Sequence, residues 1–305
     1  MKYKTKVIVN PYSAFGKTYK KWKKIKEILS SVFKDMKCEF TEAPRHAVEI
    51  TKESIRKGFE HILGVGGDGT FNEIVNGYLK KDKPLNENAF ISLFPSGKGN
   101  DFLRTVKYQN KIKKWKDLFL TDSKRTIDVG KIESEKGSSY FVNVSSFGFS
   151  GEVVENIVEL RKKIKYGFIY FLGALKTLRT FEPKRVRLRF DDGNELEDDV
   201  MIGALCNGMY FGGKMKVAPD AKLDDGYFDF LLLRKVSKAE LLKKIIKIYR
   251  GAHIRDKEIL IKRVKEVLIE PVNKNDRIPL EYDGELGKFL PVKFSLIPSV
   301  VKIKS

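Results

Sequence analysis

The sequence predicts an α/β N-terminal domain with a doubly wound parallel sheet, followed by a C-terminal half of mostly antiparallel β-structure. A length of 305 residues favours two domains over one. Short apolar runs alternate with helical stretches over the first third of the chain, which is the pattern of a parallel sheet. From about Ile127 strand-like runs follow one another with few helices between them, and this favours antiparallel pairing.

In the first domain the predicted strands alternate with predicted helices. The strands are expected at Lys6–Asn10, Cys38–Thr41, Ile62–Val65 and Phe90–Phe94. The helices are expected at Lys17–Phe33, Ala47–Lys57 and Phe71–Leu79. Three of the strand ends carry loops that contain Asn-Pro, Gly-Gly-Asp-Gly or Pro-Ser-Gly. Because ligands of open parallel sheets bind beyond the carboxyl ends of the strands, we expect a ligand site at that edge.

The second half is predicted to be a series of short strands interrupted by two helical stretches. The strands are expected at Ile127–Ile132, Tyr140–Val144, Arg185–Phe190, Val200–Cys206, Tyr227–Leu233, Glu258–Lys262, Glu266–Glu270 and Val292–Ile297. The helical stretches are expected at Gly151–Thr180 and Lys238–Tyr249. The residues Asp191–Asn194 have the composition of a hairpin turn between two of these strands.

The charge balance predicts a polyanionic partner. The chain has 60 basic and 40 acidic residues, a net charge of +20. Such an excess suits nucleic acid, anionic lipid or phosphate-rich ligands. A general enrichment in lysine without any such partner is the alternative. Because the sequence contains no RNP-like string, zinc-finger spacing or heptad array, no specific nucleic acid is expected.

The cysteines and the apolar segments predict a cytoplasmic protein. Cys38 and Cys206 are too few for a disulfide scaffold and form no CxxC motif, which fits a reducing compartment. The first residues contain no apolar region of the kind found in signal peptides. No apolar stretch reaches the roughly 18 residues that a membrane-spanning helix needs.

The most informative stretch is the glycine-rich loop Gly66-Gly67-Asp68-Gly69, which follows the apolar run Ile62–Val65. Thr70 and Glu73 have the spacing of a helix capping box, so the segment is predicted to be strand, tight loop and helix. Backbone N–H groups at such a helix start suit a phosphate. Asp68 would repel a phosphate and is expected to meet a metal ion or a sugar hydroxyl. An ordinary turn without a ligand is the alternative.

Basic residues stand beside the predicted phosphate site. Lys17, Lys20 and Lys21 lie where the first helix begins, and lysines there oppose the helix dipole. They gain stability if an anion lies between them and the helix amides, whereas a solvated lysine-rich face is the alternative. A second glycine loop, Pro95–Phe102, follows the fourth strand. The first glycine loop has neither the Rossmann nor the Walker A pattern.

With these motifs the chain resembles the bacterial soluble diacylglycerol kinase and lipid kinase family. That family is related to sphingosine kinases and, more distantly, to NAD kinases and phosphofructokinases. The matching strings are NPYSAFGK (Asn10–Lys17), GGDGTFNE (Gly66–Glu73), PSGKGNDF (Pro95–Phe102), IDVGK (Ile127–Lys131), NVSSFGFSG (Asn143–Gly151), APDAKLDDGYFD (Ala218–Asp229) and YDGE (Tyr282–Glu285). They span nearly the whole chain in the order that the family has.

The resemblance implies an ATP-binding α/β domain over residues 1–128, with about 298–305 returning to it as the last strand. Residues 129–297 would form a C-terminal β-sandwich that takes the lipid, with ATP and lipid meeting in a cleft. Asp68, Thr70 and Asn100 would contact the nucleotide, and Lys17 and Arg104 its phosphates. The full set implied for the nucleotide is Asn10, Lys17, Gly66, Gly67, Asp68, Gly69, Thr70, Glu73, Gly97, Lys98, Asn100, Arg104 and Asp128.

The resemblance also implies the catalytic and metal residues. Asp283 would be the catalytic base with Glu285 beside it, although Asp283-Gly284 also has the composition of a hairpin turn. A structural Mg²⁺ would be held by the carboxylate of Asp225 and the backbone carbonyls of Lys222 and Tyr227. A solvated turn is the alternative for that segment.

One position departs from the family pattern, which reads Pro-x-Gly-Thr-x-Asn-Asp. Lys98 replaces the threonine, and we predict that its ammonium group contacts a nucleotide phosphate.

A membrane-binding segment is predicted at Arg161–Leu175. A basic cluster that contains Lys162, Lys163 and Lys165 precedes an aromatic, apolar run. This combination is typical of a helix that lies on anionic lipid. The alternative is that the apolar run belongs to the core of the second domain.

The predicted function is that of an ATP- and Mg²⁺-dependent lipid kinase that phosphorylates a lipid hydroxyl, with diacylglycerol as the first expectation and phosphatidic acid as its product. Phosphatidylglycerol, a sphingoid base or NAD are alternative acceptors. A non-catalytic nucleotide-sensing or nucleic-acid-binding protein is the alternative from another class. The expected partners are ATP, a membrane lipid and an anionic membrane surface bound peripherally from the cytoplasm, with a homodimer as a possible assembly.

Overall fold

The computed structural model describes residues 3–108, 112–161 and 169–304. It divides into two compact units, Met1–Val129 with Ile297–Ser305, and Gly130–Leu296. The sequence placed the corresponding boundaries at residue 128 and at about residue 298. Each unit has its own hydrophobic core, so the two are described separately.

The first unit is built on a parallel sheet. Its strands are β1 (Thr5–Val9), β2 (Met36–Phe40), β3 (His61–Gly66), the short strands β4 (Leu79–Lys80) and β5 (Lys83–Pro84), and β6 (Phe90–Pro95). Its helices are α1 (Lys17–Lys20), α2 (Trp22–Ser30), α3 (His46–Arg56), α4 (Asp68–Tyr78), α5 (Asp101–Thr105) and α6 (Ile112–Asp117). The main strands lie in the order β2-β1-β3-β6, and all of them are parallel.

The strand order determines where a ligand can bind. The chain moves from β1 outward to β2 and then returns to the other side of β1 for β3. The order in which the chain adds strands to the sheet therefore reverses between β1 and β3, and such a switch point is where open α/β sheets bind their ligands. The loops that follow β1 and β3 both lie at this point.

The first predicted helix is wrong in one respect, because it is two helices separated at Lys21. Lys21 leaves the helical region with φ −97° and ψ 2°, and α2 begins at the next residue. The buried hydroxyl of Thr18 bonds to the hydroxyls of Ser13 and Ser96. Because these bonds tie α1 to the neighbouring loops, α1 is a short separate turn and not the start of the amphipathic helix.

The predicted capping box at Thr70 and Glu73 is also wrong. Helix α4 begins at Asp68, its N-cap is the extended Gly67, and no side chain caps it. Glu73 accepts hydrogen bonds from the backbone N–H groups of Arg45 (2.9 Å) and Ala47 (3.1 Å) instead. Its carboxylate therefore stabilises the beginning of α3, where a negative charge is favourable.

The second unit is mostly antiparallel, as predicted. Its strands are the later part of β7 (Lys124–Ser134), β8 (Gly137–Phe141), β9 (Val144–Gly148), β10 (Lys184–Phe190), β11 (Glu195–Cys206), β12 (Phe228–Arg234), β13 (Ile259–Val264), β14 (Glu266–Pro271), β15 (Pro279–Tyr282), β16 (Glu285–Phe289) and the first part of β17 (Val292–Lys304). Its helices are α7 (Phe149–Arg161), α8 (Ile169–Thr180) and α9 (Lys238–Ile248), with a 3₁₀ turn at Ala252–Arg255.

The long strand β11 organises this unit into a β-sandwich. Its first half pairs with β10 and its second half with β9, while β12 lies on its other edge. Buried phenylalanines fill the core between the strands, namely Phe141, Phe147, Phe228, Phe230 and Phe294. The hairpin turn predicted at Asp191–Asn194 joins β10 to β11.

The end of the chain returns to the first unit. The sequence predicted a last strand at Val292–Ile297, but β17 continues to Lys304. Its far end pairs in parallel with β6, where Ile303 lies opposite Ile91. The structure therefore contains the returning last strand that the family resemblance implied.

The predicted membrane-binding cluster of Lys162, Lys163 and Lys165 lies outside the residues that the structure describes. The two helical stretches around it, α7 and α8, correspond to the helical region predicted at Gly151–Thr180. In the described part of the chain, no helix combines the length and the apolar content needed to span a bilayer.

Candidate active site

Two glycine loops contact each other at the end of the parallel sheet. One follows β3 and contains Gly67, and the other follows β6 and contains Gly97. A Cβ atom on Gly97 would lie 2.4 Å from the Cα atom of Gly67, a distance that real side chains do not tolerate. The first loop is equally tight, since a Cβ atom on Gly66 would lie 2.3 Å from the hydroxyl of Thr70. Glycine at these positions therefore permits the close packing of the loops.

Asp68 connects the two loops. Its carboxylate accepts hydrogen bonds from the backbone N–H groups of Asp101 (3.1 Å) and Phe102 (3.0 Å), at the beginning of α5. A Cβ atom on Gly99 would lie 2.9 Å from the same carboxylate. The sequence predicted that Asp68 meets a metal ion or a sugar hydroxyl. The structure adds that this carboxylate positions the second glycine loop against the first.

The loop after β1 joins the same site. The side-chain amide of Asn10 donates to the hydroxyl of Thr70 at 3.0 Å. The hydroxyls of Ser13, Thr18 and Ser96 form a chain of hydrogen bonds of 2.5 Å each, which links the first loop to the end of β6. Three loops that are distant in the sequence are thus held together by side-chain hydrogen bonds. Gly69 lies in the first turn of α4 at this junction.

Asn100 presents an acceptor at the junction of the two glycine loops. It adopts a left-handed conformation with φ 51°, and its amide nitrogen donates to the carbonyl of Gly97 at 2.9 Å. Its Oδ1 atom is buried and has no hydrogen-bond partner in the part of the chain that the structure describes. A buried polar atom without a partner costs free energy, so a donor from a ligand would stabilise it. The amino and hydroxyl groups of a nucleotide are donors of this kind, and the loop residues therefore fit ATP.

The three predicted phosphate-binding cations have different environments. The guanidinium of Arg104 donates to the carbonyl of Gly99 at 3.3 Å and lies 3.6 Å from the carboxylate of Asp101. The ammonium of Lys98 lies over the ring of Phe15, 3.9 Å from its centroid. Lys17 is exposed at the first residue of α1. Arg104 is thus part of the loop structure, and Lys98 is held by an aromatic ring.

Two further residues of the predicted nucleotide set, Glu73 and Asp128, also make structural hydrogen bonds. Glu73 binds the beginning of α3, as described above. Asp128 is buried, and its carboxylate accepts a hydrogen bond from the N–H of Ser299 at 2.7 Å. Ser299 has a positive φ of 47°, so Asp128 stabilises a kink in β17. The contribution of Asp128 to nucleotide binding stays a prediction.

In the second unit, Asp283 and Gly284 form the tight turn between β15 and β16. Both have positive φ angles, 50° and 84°, which are those of a type I′ hairpin turn. The side chain of Asp283 is held within this unit. Its carboxylate accepts hydrogen bonds from the N–H groups of Val142 (2.8 Å), Asn143 (2.9 Å) and Val144 (3.2 Å). Asp283 therefore occupies a hairpin turn, and its carboxylate is held by backbone N–H groups, while its role as a catalytic base stays a prediction. Glu285 is exposed beside it.

Glu281 is a buried carboxylate beside the Asp283 turn that the sequence did not reveal. It is only 3% exposed and accepts hydrogen bonds from the hydroxyl of Ser146 and from the N–H of Gly284 (3.0 Å). Burial raises the pKa of Glu281 to about 8, and the charges of Asp283 and Glu285 act in the same direction. Its burial depends on the pairing of β15 with β9, far away in the sequence. No local signal identifies it, except that it stands two residues before Asp283.

The raised pKa of Glu281 predicts that stability falls with rising pH. The folded state keeps a proton on Glu281 up to about pH 8, whereas the unfolded chain loses it near the ordinary value of 4.5. This contribution to stability is therefore complete below pH 4.5 and is lost as the pH rises to about 8. We expect Glu281→Gln to remove the effect, so that the unfolding free energies of wild type and variant diverge by a few kcal/mol between these pH values.

Urea denaturation over a pH series measures this difference. Glu135→Gln is the matched control, because it removes an exposed carboxylate from the same unit. Parallel stability curves for wild type and Glu281→Gln would show that Glu281 ionises normally in the folded protein.

The predicted metal residues lie in the loop that precedes β12. The carboxylate of Asp225 accepts from the guanidinium of Arg263 and from the N–H of Tyr227 at 3.2 Å. Oxygen ligands such as one carboxylate and two carbonyls suit Mg²⁺. Over the described residues, no three His, Cys, Asp or Glu side chains are grouped to hold a metal ion. A cation held by Lys222, Asp225 and Tyr227 would thus depend on backbone carbonyls and would compete with Arg263.

Comparison with known proteins covers both halves of the chain. Residues 4–132 match the diacylglycerol kinase catalytic domain, and residues 143–305 match the YegS C-terminal NAD kinase beta sandwich-like domain. The chain is 30% identical to a diacylglycerol kinase of Bacillus subtilis over 249 residues, which are 81% of this chain and 78% of the relative. It is 29% identical to a diacylglycerol kinase of Staphylococcus carnosus over 300 residues, which are 96% of this chain and 92% of the relative.

A solved structure has the same fold. The crystal structure of a diacylglycerol kinase from Bacillus anthracis aligns with a TM-score of 0.73 and 23% identity, and the alignment covers 100% of this chain and 97% of that one. The predicted fold class, an α/β domain with a parallel sheet followed by an antiparallel β-sandwich, is confirmed.

Proposed function

This chain belongs to the diacylglycerol kinase family, and on that premise we propose that it transfers the γ-phosphate of ATP to the hydroxyl of a membrane lipid. Diacylglycerol is the first candidate, and its product is phosphatidic acid. The observation that carries the proposal is the junction of the two glycine loops, the first of which lies at the switch point of the sheet. There the buried Oδ1 atom of Asn100 has no partner among the described residues.

Phosphoryl transfer depends mainly on positioning and on charge stabilisation. We assign positioning of the nucleotide to the loops that contain Gly67 and Gly97, whose backbone N–H groups suit phosphate oxygens. The hydroxyl oxygen of the lipid forms a bond to the γ-phosphorus, the bond from that phosphorus to the bridging oxygen of ADP breaks, and ADP leaves. Mg²⁺, when bound with ATP, offsets the phosphate charge. A structural Mg²⁺ is proposed to be held elsewhere, by Lys222, Asp225 and Tyr227.

The second unit is proposed to supply the base. A hydroxyl is a poor nucleophile, and a fixed carboxylate can accept its proton as the bond to phosphorus forms. Asp283 is held by three backbone N–H groups, so its position is defined before the substrate binds. Glu281 lies under the same turn and bonds to Gly284, which makes the turn itself rigid.

The acceptor is tested by incubating the protein with labelled ATP and with diacylglycerol, phosphatidylglycerol, a sphingoid base or NAD in turn. We expect label in phosphatidic acid, with diacylglycerol as the best acceptor. Label in a different product would identify that alternative acceptor and replace diacylglycerol in the proposal. ATP binding without phosphorylation of any acceptor would favour the non-catalytic nucleotide-sensing alternative.

The contact between Lys98 and Phe15 predicts opposite effects of two variants. If Lys98 contacts a nucleotide phosphate, its ammonium group must leave the Phe15 ring, a contact worth about 0.5–1 kcal/mol at an exposed site. We therefore expect Phe15→Leu to lower the KM for ATP about two- to fivefold and Lys98→Thr to raise it.

Steady-state kinetics at varied ATP concentration measures both effects. Tyr12→Leu is the control, since Tyr12 is another exposed aromatic residue of the same loop. A lower KM in Lys98→Thr would mean that the lysine hinders ATP instead of binding it.

The site of action is proposed to be the cytoplasmic face of an anionic membrane, reached by peripheral binding. The net charge of +20 supports this proposal, because anionic lipid attracts basic proteins. A homodimer stays a prediction.

A further inference from the structure

We propose that the exposed face of α9 is a membrane-binding surface that lies on bilayers of anionic lipid. This surface, named here the α9 stripe, consists of Leu242, Ile246 and Tyr249. The proposal rests on the proposed function, because an enzyme that phosphorylates a membrane lipid must meet its substrate at a bilayer.

The three side chains of the α9 stripe are large, apolar or aromatic, and exposed. Leu242 is 43% exposed, Ile246 71% and Tyr249 52%. They are spaced by four and three residues, so they fall within about 60° of the helix circumference. Tyr249 is the C-cap and keeps a helical conformation, which continues the stripe to the end of the helix. A contiguous apolar stripe on a surface helix indicates a binding function more than single exposed residues do.

The opposite side of α9 is firmly attached to the second unit. Leu241 is buried, and the ammonium of Lys244 binds the carboxylates of Asp256 (3.0 Å) and Glu258 (2.7 Å). At its beginning, Ser237 and Glu240 form a capping box. Because its inner side and its N-terminus are both held by these contacts, α9 is an ordered helix, and the α9 stripe lies on its outward side.

The charges around the stripe favour an anionic partner. Lys238, Lys243 and Arg250 are exposed beside or just after the apolar residues. Glu240 is the single acidic residue of α9, and its carboxylate binds Ser237. Of the acidic groups on the buried side, Asp256 binds both Lys244 and Lys247. The outward face of α9 is thus apolar with a basic border.

A lipid surface fits this face better than a second protein does. Stable protein interfaces bury about 800 Å² on each partner, which exceeds what three side chains on one helix supply. An apolar stripe with basic neighbours is the pattern of a helix that lies in the plane of a membrane. A tyrosine at its edge is typical of the boundary between headgroups and acyl chains.

Sedimentation with vesicles tests the α9 stripe. The full chain is mixed with vesicles of phosphatidylglycerol and phosphatidylcholine in equal parts, or of phosphatidylcholine alone. We expect binding to the anionic vesicles, and we expect the triple variant Leu242→Gln, Ile246→Gln, Tyr249→Gln to bind them at least about tenfold more weakly. Glutamine is a good helix former, so α9 is retained, and circular dichroism verifies this.

Two further sets of variants complete the test. Ile261→Gln with Val272→Gln removes exposed apolar side chains elsewhere on the same unit and should leave vesicle binding unchanged. Neutralising Lys238, Lys243 and Arg250 to Gln should weaken binding and reduce its dependence on salt. Vesicle binding of the triple apolar variant equal to that of wild type would overturn the proposal. A change from dimer to monomer in that variant would also overturn it, since the stripe would then be a contact between copies.

Turnover of a short-chain diacylglycerol in detergent micelles separates this proposal from the proposed function. If the micellar lipid is phosphorylated and the triple variant still binds vesicles, the membrane-binding proposal is wrong and the proposed function is supported. If no lipid is phosphorylated but the triple variant no longer binds vesicles, the membrane-binding proposal is supported and the proposed function is wrong.

Discussion

Replacing Asp283 with Asn is expected to lower turnover by about 10²–10⁴-fold. The amide cannot accept the proton that the lipid hydroxyl must lose when it attacks the γ-phosphorus, whereas the carboxylate can. The affinity for ATP should change little, since the resemblance assigns the nucleotide to loops of the first unit and Asp283 belongs to the second. Turnover and ATP affinity measured on the same variant therefore show whether chemistry or binding is lost.

The three hydrogen bonds of Asp283 require a stability measurement beside the kinetics. An asparagine has one acceptor oxygen for the N–H groups of Val142, Asn143 and Val144, and its NH₂ group would meet one of these donors. Asp283→Asn is therefore expected to lower the melting temperature as well. Turnover must be measured at a temperature where the variant is folded, and it must be expressed for the folded fraction.

A matched control separates the two roles of Asp283. Asn207 donates to the carbonyl of Val142 at 2.7 Å, so Asn207→Ala loosens the same backbone segment without removing a carboxylate. We expect it to lower the melting temperature and to keep turnover within about threefold of wild type. If Asp283→Asn behaves in the same way, Asp283 is a turn residue and the base is a different group.

The positions of the strands along the chain and the position of the ligand edge were predictable because both depend on local patterns. A buried run such as Ile62–Val65 identifies a strand of a parallel sheet without knowledge of its neighbours. The glycines at Gly66 and Gly67 identify a tight loop for a similar local reason. What these patterns do not contain is the partner of each loop, so the contact between Gly67 and Gly97 is visible only in the structure.

The carboxylates show where sequence reasoning fails. Glu73 has the spacing of a capping residue for its own helix, but it binds α3, whose first residues are 26 and 28 positions away. Glu281 is buried because β15 pairs with β9, and its hydroxyl partner Ser146 is 135 positions away. The sequence shows the same residue whether a glutamate is solvated, caps a helix or is buried. Its role is therefore set by tertiary contacts that no single stretch encodes.

Replacing Asp68 with Ala is expected to abolish measurable ATP binding. The carboxylate of Asp68 accepts from the N–H groups of Asp101 and Phe102, so its removal leaves two donors at the start of α5 without this acceptor. Such a loss costs about 1–3 kcal/mol of stability, which the parallel sheet should survive. The second glycine loop would then no longer be held against Gly67, and the phosphate-binding arrangement of backbone N–H groups would be lost.

Asp68→Asn distinguishes this bracing role from a direct contact with a metal ion or a sugar. An asparagine oxygen still accepts one N–H bond, so bracing predicts that Asn falls between wild type and Ala in both ATP affinity and melting temperature. A direct contact with a cation requires the charge, which predicts that Asn loses ATP binding as fully as Ala does. Calorimetric titration with ATP and thermal melting on the two variants measure both quantities. Wild-type ATP affinity in a folded Asp68→Ala protein would exclude both roles, because neither the brace nor the contact would then be needed.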